Sequence, residues 1–153
     1  MVPDSVSVLM TGRILPGDIG RTDEGTPVSL LDFKGRALVI ILTGEGLEKD
    51  KLNMLKHIKN DINGFYKYSC SPVLVSFESE QLLAAARELN NLPFMMISDF
   101  SRDIHRAMGF DPALNETVIW IADEDSKLVA AIPFMASREQ LSTALAALPR
   151  LFK

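Results

Sequence analysis

The stretch that decides the fold is Ala37–Leu42, which reads Ala-Leu-Val-Ile-Ile-Leu. It is continuously apolar and β-branched at its centre, and such a run is typical of a strand buried on both faces of a sheet. The turn formers Lys34-Gly35 precede it. After it, Gly46 to Ile62 places apolar side chains at helical spacing, and Asn63-Gly64 predicts the end of that helix. The pattern predicts a central strand followed by a helix.

Strands and helices continue to alternate toward the C-terminus. Four further apolar runs predict strands, and these are Pro72 to Phe77, Pro93 to Ile97, Thr117 to Ala122 and Lys127 to Ile132. The turn formers at 123–126 join the last two runs as a hairpin. A strand–helix alternation followed by a hairpin predicts a mixed sheet.

Capping residues predict where the remaining helices begin and end. Ser79 is the predicted N-cap of a helix that ends at Asn90-Asn91. Ser101 is the predicted cap of a short helix that Gly109 ends. Ser137 opens a capping box before a C-terminal helix. The length of 153 residues fits one domain. We therefore expect a single α/β domain over residues 1–153, with a central sheet of about five strands flanked by helices.

Composition excludes several classes of function. The chain has 16 Lys and Arg and 20 Asp and Glu, which gives a net charge of −4. Because proteins bind nucleic acids largely through basic residues that contact the phosphates, we expect no nucleic-acid partner. No apolar run reaches the length of a membrane span. We also expect no signal peptide, because residues 1–5 lack a basic region followed by an apolar one. We expect no membrane association and a cytoplasmic location. One Cys and two His exclude a disulfide within the chain and leave no metal-ligand cluster, so we expect neither a metal nor another cofactor.

Three segments in register resemble the peroxiredoxin branch of the thioredoxin fold, the alkyl hydroperoxide reductase and thiol-specific antioxidant family. Gly25 to Arg36 is similar to the family's G-x-x-V-S-L-x-D-F-K-G-K. Leu92 to Asp99 resembles L-P-F-P-L-L-S-D, and Thr117 to Val129 resembles the T-F-x-I-D-x-D-G-x-I-V hairpin. The resemblance covers residues 25–132 and implies a thioredoxin-like fold.

The residues that perform this family's chemistry are absent from the matching positions. Peroxiredoxins attack a peroxide with the thiolate of P-x-x-x-T-x-x-C, just after the first central strand, where a helix N-terminus and an Arg lower the thiol pKa. An ungapped overlay places Gly44 at the Pro, Glu48 at the Thr and Lys51 at the Cys. Thr117 stands where peroxiredoxins carry an Arg and thioredoxins a cis-Pro. A C-x-x-C motif is also absent.

Glu48 and Lys51 are three residues apart, so we expect them to share a face on the first turns of the helix after the central strand. At that position they would form a carboxylate–ammonium pair without a nucleophile. The resemblance therefore implies the fold of the family, while the matching positions of this sequence contain none of the family's catalytic residues.

Cys70 is the one candidate for a thiol nucleophile. It precedes the second central strand, which in this fold places it near the end of the sheet opposite the usual active site. Two functions stay open. The first is a non-catalytic peroxiredoxin-like protein that binds a protein partner or forms a homodimer. The second is a residual antioxidant or thiol oxidoreductase that works through Cys70, which would then be accessible and have a lowered pKa.

The histidines, the tryptophan and three of the methionines are expected to have no role in a functional site. His57 and His105 have no motif partner, and we expect both at the surface. Trp120 and the three methionines Met95, Met96 and Met108 are expected in the core.

Overall fold

A computed structural model describes residues 12–43, 49–60, 63, 70–109 and 118–133. Within these ranges the chain forms seven strands, and they are β1 (Ile19–Thr22), β2 (Pro27–Ser29), β3 (Ala37–Leu42), β4 (Cys70–Ser76), β5 (Met95–Ser98), β6 (Val118–Ala122) and β7 (Leu128–Pro133). The helices of the same ranges are α1 (Lys49–Asn60), α2 (Glu80–Asn90) and α3 (Asp103–Ala107), with a 3₁₀ helix at Leu30–Phe33. No helix in this described part is long and apolar enough to cross a membrane.

The described strands form one mixed sheet in the order β2-β1-β5-β4-β3-β6-β7. Strands β3, β4 and β5 run parallel, whereas β6 is antiparallel to β3 and β7 is antiparallel to β6. The mixed sheet and the terminal hairpin are therefore confirmed. The expected number of about five strands is too low, because β1 and β2 form a short hairpin of four and three residues. Neither of these strands carries a long apolar run.

Strand β3 lies at the centre of the core, as its sequence predicts. All six of its residues are buried. Leu38, Ile40 and Leu42 pack into the apolar cluster on one face of the sheet, and the three alternate residues pack into the cluster on the other face. A strand with apolar layers on both faces has no polar position, which explains the unbroken run.

Helix α2 confirms both of its predicted caps. The Ser79 hydroxyl accepts a hydrogen bond from the Leu82 amide at 3.3 Å. The helix ends at Asn91, whose φ of 50° is the left-handed conformation that Asn tolerates. In α1, Leu55 and Ile58 are buried against the sheet. The predicted limits of α1 at Gly46 and Ile62, and the predicted helix after Ser137, lie outside the described residues.

Helix α3 corrects the predicted cap at Ser101. The helix begins after Arg102, whose φ is 67° and whose side chain makes no cap hydrogen bond. The Asp99 carboxylate instead accepts hydrogen bonds from the amides of Ile104 and His105, at 3.2 and 2.8 Å. A carboxylate accepts these amides more strongly than a hydroxyl does, so Asp99 performs the capping. Gly109, with φ of 75°, ends the helical region as predicted.

Candidate functional site

The candidate site lies at the sheet edge where the parallel strands β3, β4 and β5 end. The residues that follow these strands are Thr43, Phe77 and Asp99, and the register of the sheet brings them to one edge. In open α/β sheets, ligands bind beyond the carboxyl ends of the strands. This edge is also where the peroxiredoxin resemblance implies an active site.

A fully buried His–Asp pair occupies this edge. The His105 Nδ1 atom lies 2.6 Å from Asp99 Oδ2, and both side chains are completely buried. The His105 Nε2 atom lies 2.7 Å from the carbonyl oxygen of Thr43. The imidazole therefore connects the helix α3 and the loop after β5 to the end of β3.

An aromatic ring and an arginine cover the imidazole on the outer side. The Phe77 ring centre lies 4.2 Å from the His105 ring centre, with the planes tilted by 53°. The Arg102 guanidinium lies 4.6 Å above the centre of the Phe77 ring, which is cation–π geometry. The order from the interior to the surface is therefore imidazole, phenyl ring, guanidinium.

A pocket of about 610 Å³ opens outside this stack. Its lining includes Phe77, Glu78, Phe100, Ser101, Arg102 and Arg106. Phe100 is 76% exposed, so most of its side chain faces solvent beside the pocket. The pocket offers an apolar contact and charged groups of both signs. None of its lining residues is a cysteine, and within the described ranges no group of three His, Cys, Asp or Glu side chains could hold a metal ion.

The positions that the resemblance assigns to the active site fall mostly outside the described residues. Gly44, Glu48 and Thr117 are not among them. Lys51 is the third residue of α1, in the first turn of the helix that follows β3. The expected pair of Glu48 and Lys51 stays a prediction.

Cys70 lies at the other end of the sheet. It is the first residue of β4 and pairs with Ala37, the first residue of β3. Five residue steps along the strands lead from this pair to Leu42 and Val75, which is roughly 16 Å in a parallel sheet. The side chain is completely buried. Burial raises the pKa of the Cys70 thiol to about 12, and the positive charge of Arg36 opposes that rise only in part.

We expect Cys70 to be almost unreactive in the folded protein. A buried thiol with a pKa of about 12 exposes neither a thiolate nor a free sulfur to a reagent. Ellman's reagent at pH 7.5 should label the chain fully in denaturant, and at a rate at least about 100-fold lower without it. Rapid stoichiometric labelling of the native protein would contradict this expectation.

The structure corrects two interpretations drawn from single residues. His105 is not at the surface, because its two ring nitrogens bond to buried acceptors. Met95, predicted in the core, is 36% exposed, whereas Met96, Met108 and Trp120 are buried as expected. Asp99 could have indicated from the sequence that His105 is buried. An Asp shortly before a short helix can cap that helix and also contact its third residue, which here is His105.

Solved structures with a similar fold include peroxiredoxins. Peroxidoxin BcpB from Mycobacterium tuberculosis matches with a TM-score of 0.83 and 18% identity, over 94% of this chain and 99% of that one. The bacterioferritin comigratory protein of Xanthomonas campestris, for which alkyl peroxide reduction activity is described, matches with a TM-score of 0.78 and 16% identity over 98% and 96%. A mutant of Xylella fastidiosa PrxQ matches with a TM-score of 0.77 and 14% identity over 90% and 95%.

Similarity at the level of sequence is much weaker. No protein-family model matches the sequence, and no curated protein does. Identities of 14 to 18% with the solved structures show the fold alone. The chain therefore has the peroxiredoxin-like form of the thioredoxin fold, as the three sequence segments imply.

Proposed function

We propose that this chain is a peroxiredoxin-fold protein without peroxidase activity, which acts by binding a protein partner or a second copy of itself. The observation that carries this proposal is the position of the single cysteine. Cys70 lies at the amino end of β4, whereas the peroxiredoxin nucleophile follows the carboxyl end of β3. The segment from Thr43 to Lys51 contains no cysteine.

The alternative, a thiol enzyme that works through Cys70, requires a thiolate. With a pKa of about 12, only about one molecule in 10⁵ carries the Cys70 thiolate at pH 7. The thiol is also completely buried, so a peroxide would have to enter the core to reach it. Burial and pKa both support the non-catalytic proposal.

Phe100 supports self-association as the form of binding. It exposes most of its ring beside a pocket lined by Phe77 and Arg102. In a two-fold dimer each copy presents the same patch, so the Phe100 of one copy would meet the pocket of the other. An exposed aromatic side chain next to an arginine is the combination that dominates many interfaces. We propose that the chain forms a homodimer through this edge.

A single thiol without a disulfide partner also agrees with a reducing compartment, so we propose a cytoplasmic location.

We expect Phe100→Ala to weaken the homodimer by at least about 30-fold in its dissociation constant, which is the effect of losing one buried aromatic anchor. Light scattering over a concentration series measures the mass, and sedimentation equilibrium gives the constant. Leu89→Ala is the matched control, because Leu89 is 82% exposed on α2 and does not line the pocket. A monomeric mass at high micromolar concentration would contradict the homodimer and leave a different protein as the partner.

A further inference from the structure

We infer that the pocket beside Phe100 is a binding site for a small aromatic carboxylate, an acid whose single carboxylate is attached to a flat ring. The Arg106 and Arg102 side chains would hold the carboxylate, and the Phe100 ring would stack against the ring of the ligand. The inference goes beyond the proposed function, because it requires only one copy of the chain. It rests on lining residues that the structure describes.

Arg106 offers a carboxylate a pair of parallel donors. Its Nη1 atom donates to the carbonyl of Ser101 at 3.1 Å and lies 3.5 Å from Asp103 Oδ1. In the part of the chain that the structure describes, its Nε and Nη2 atoms make no hydrogen bond. These two atoms share one edge of the guanidinium, and their N–H groups have the geometry of a bidentate bond to a carboxylate. The bond to Ser101 orients that edge before a ligand arrives, which lowers the cost of binding.

Arg102 adds a second positive charge in a fixed place. Its guanidinium lies 4.6 Å above the centre of the Phe77 ring, and this stacking orients the planar group. Its backbone φ is 67°, a conformation that glycine adopts at lower cost than arginine. Backbone strain of this kind concentrates at ligand sites, where a particular side chain is needed. Both arginines line the same pocket, so their charges reinforce each other on a bound anion.

The charge of the lining matches a monoanion. Arg102 and Arg106 are positive, and Glu78 carries the one negative charge among the lining residues that the structure describes. Arg106 also pairs with Asp103, but both of these side chains are more than half exposed, so water screens the pair. The excess of one positive charge complements a single carboxylate. A second negative charge on the ligand would meet the repulsion of Glu78.

Phe100 selects a ligand with a flat ring. Its side chain is 76% exposed, and an aromatic ring gains apolar contact and stacking geometry when another ring covers it. The pocket volume of about 610 Å³ falls within the range of about 300 to 1,000 Å³ that is typical of small-ligand sites. The described lining comes from two short segments, 77–78 and 100–106, whereas an extended peptide needs a longer line of contacts. These features favour a small acid over a peptide.

The acid and a second copy of the chain would exclude each other. In the proposed homodimer, the Phe100 ring of one copy meets this pocket in the other. A bound acid would fill the same space and shift the equilibrium toward the monomer. Light scattering with and without the acid therefore separates the two proposals.

The test uses the full chain and naphthoate as the probe, titrated by isothermal calorimetry and by nitrogen-15 correlation spectra of the backbone amides. Naphthamide has the same ring without the charge, and cyclohexanecarboxylate has the charge without the aromatic ring. An acetylated peptide that ends in phenylalanine presents a carboxylate near a ring at the end of a chain. Calorimetry is repeated over a series of protein concentrations, so that binding to the monomer is measured even where a dimer forms.

We expect Arg106→Gln to weaken naphthoate binding by about tenfold, since it removes a charge-assisted bidentate bond. Phe100→Leu keeps an apolar side chain without the ring and should weaken binding by roughly threefold or more. Asp103→Asn removes the ion pair of Arg106 but should bind naphthoate at least as tightly as the wild type. Arg13→Gln is the matched control for charge, because Arg13 is exposed and is not among the residues that line the pocket.

Saturable binding of naphthoate should shift the amides of residues 100–106, weaken with added salt and exceed the binding of naphthamide by about tenfold. No saturable binding at any protein concentration would overturn the inference, as would equal affinities for naphthoate and naphthamide or for the wild type and Arg106→Gln. Tighter binding of the peptide would overturn the assignment to a small acid. A dimeric mass that persists in saturating naphthoate would contradict the homodimer through this edge, and the ligand site would stand.

Discussion

Peroxide consumption by the purified chain should not exceed the background reaction of the thiol reductant. The thiol that remains, Cys70, is buried and ionised in only about one molecule in 10⁵ at pH 7. Its place at the start of β4 also separates it from the edge that holds Asp99 and His105. Stopped-flow measurements with hydrogen peroxide and an alkyl hydroperoxide, each with a thiol reductant, test the expectation.

Cys70→Ser is the control for this assay. It should leave the rate unchanged, because the background reaction does not involve the protein. A catalysed rate that Cys70→Ser abolishes would show that the thiol is used, and the chain would then be a thiol peroxidase with a relocated nucleophile. A peroxiredoxin assayed in parallel shows that the reductant and the substrate are competent.

Asp99→Ala should produce the largest loss of stability of any single substitution considered. The Asp99 carboxylate accepts hydrogen bonds from two backbone amides of α3 and bonds to the His105 ring, with both side chains fully buried. Removing it leaves these donors without an acceptor in the interior. Each buried donor left without an acceptor costs about 1 to 3 kcal/mol, so the loss of several hydrogen bonds costs at least about 3 kcal/mol. For a domain of this size that lowers the midpoint of thermal unfolding by roughly 10 °C.

Asp103→Ala is the matched control for this substitution. Asp103 is also an aspartate at the beginning of α3, but its side chain is 54% exposed and its ion pair with Arg106 spans 3.5 Å. Exposed pairs contribute about 0 to 1 kcal/mol, so the control should lie close to the wild type in calorimetry. A loss of less than about 1 kcal/mol in Asp99→Ala would mean that water or another side chain replaces the carboxylate.

Strand β3 and helix α2 could be predicted from the sequence, because each of them is determined by a pattern of neighbouring residues. Strand β3 has six apolar residues in a row, and a run of this length that is rich in β-branched residues is typical of a strand between two apolar layers. Helix α2 has a hydroxyl cap before an amphipathic stripe and an Asn that ends it. In both cases the determining residues lie within a few positions of one another.

The candidate site was predicted less well, because it depends on contacts between distant segments. His105 bonds to Thr43 across 62 positions of sequence, and nothing beside His105 marks it as buried. An ionisable side chain flanked by Ile104 and Arg106 fits a surface helix equally well. The hairpin of β1 and β2 was not predicted for a similar reason. Its strands are short, and they depend on the pairing of β1 with the distant strand β5 and of β2 with β1 rather than on their own composition.

The position of strand β3 between β4 and β6 has a consequence for folding during synthesis. Its two sheet neighbours are β4, which follows closely in sequence, and β6, which begins only at Val118. Until β6 has left the ribosome, an all-apolar strand is an open edge with unpaired amides and carbonyls, and such edges pair with other chains. A fragment that stops before Val118 should therefore aggregate during expression, because β3 would present this open edge to other chains.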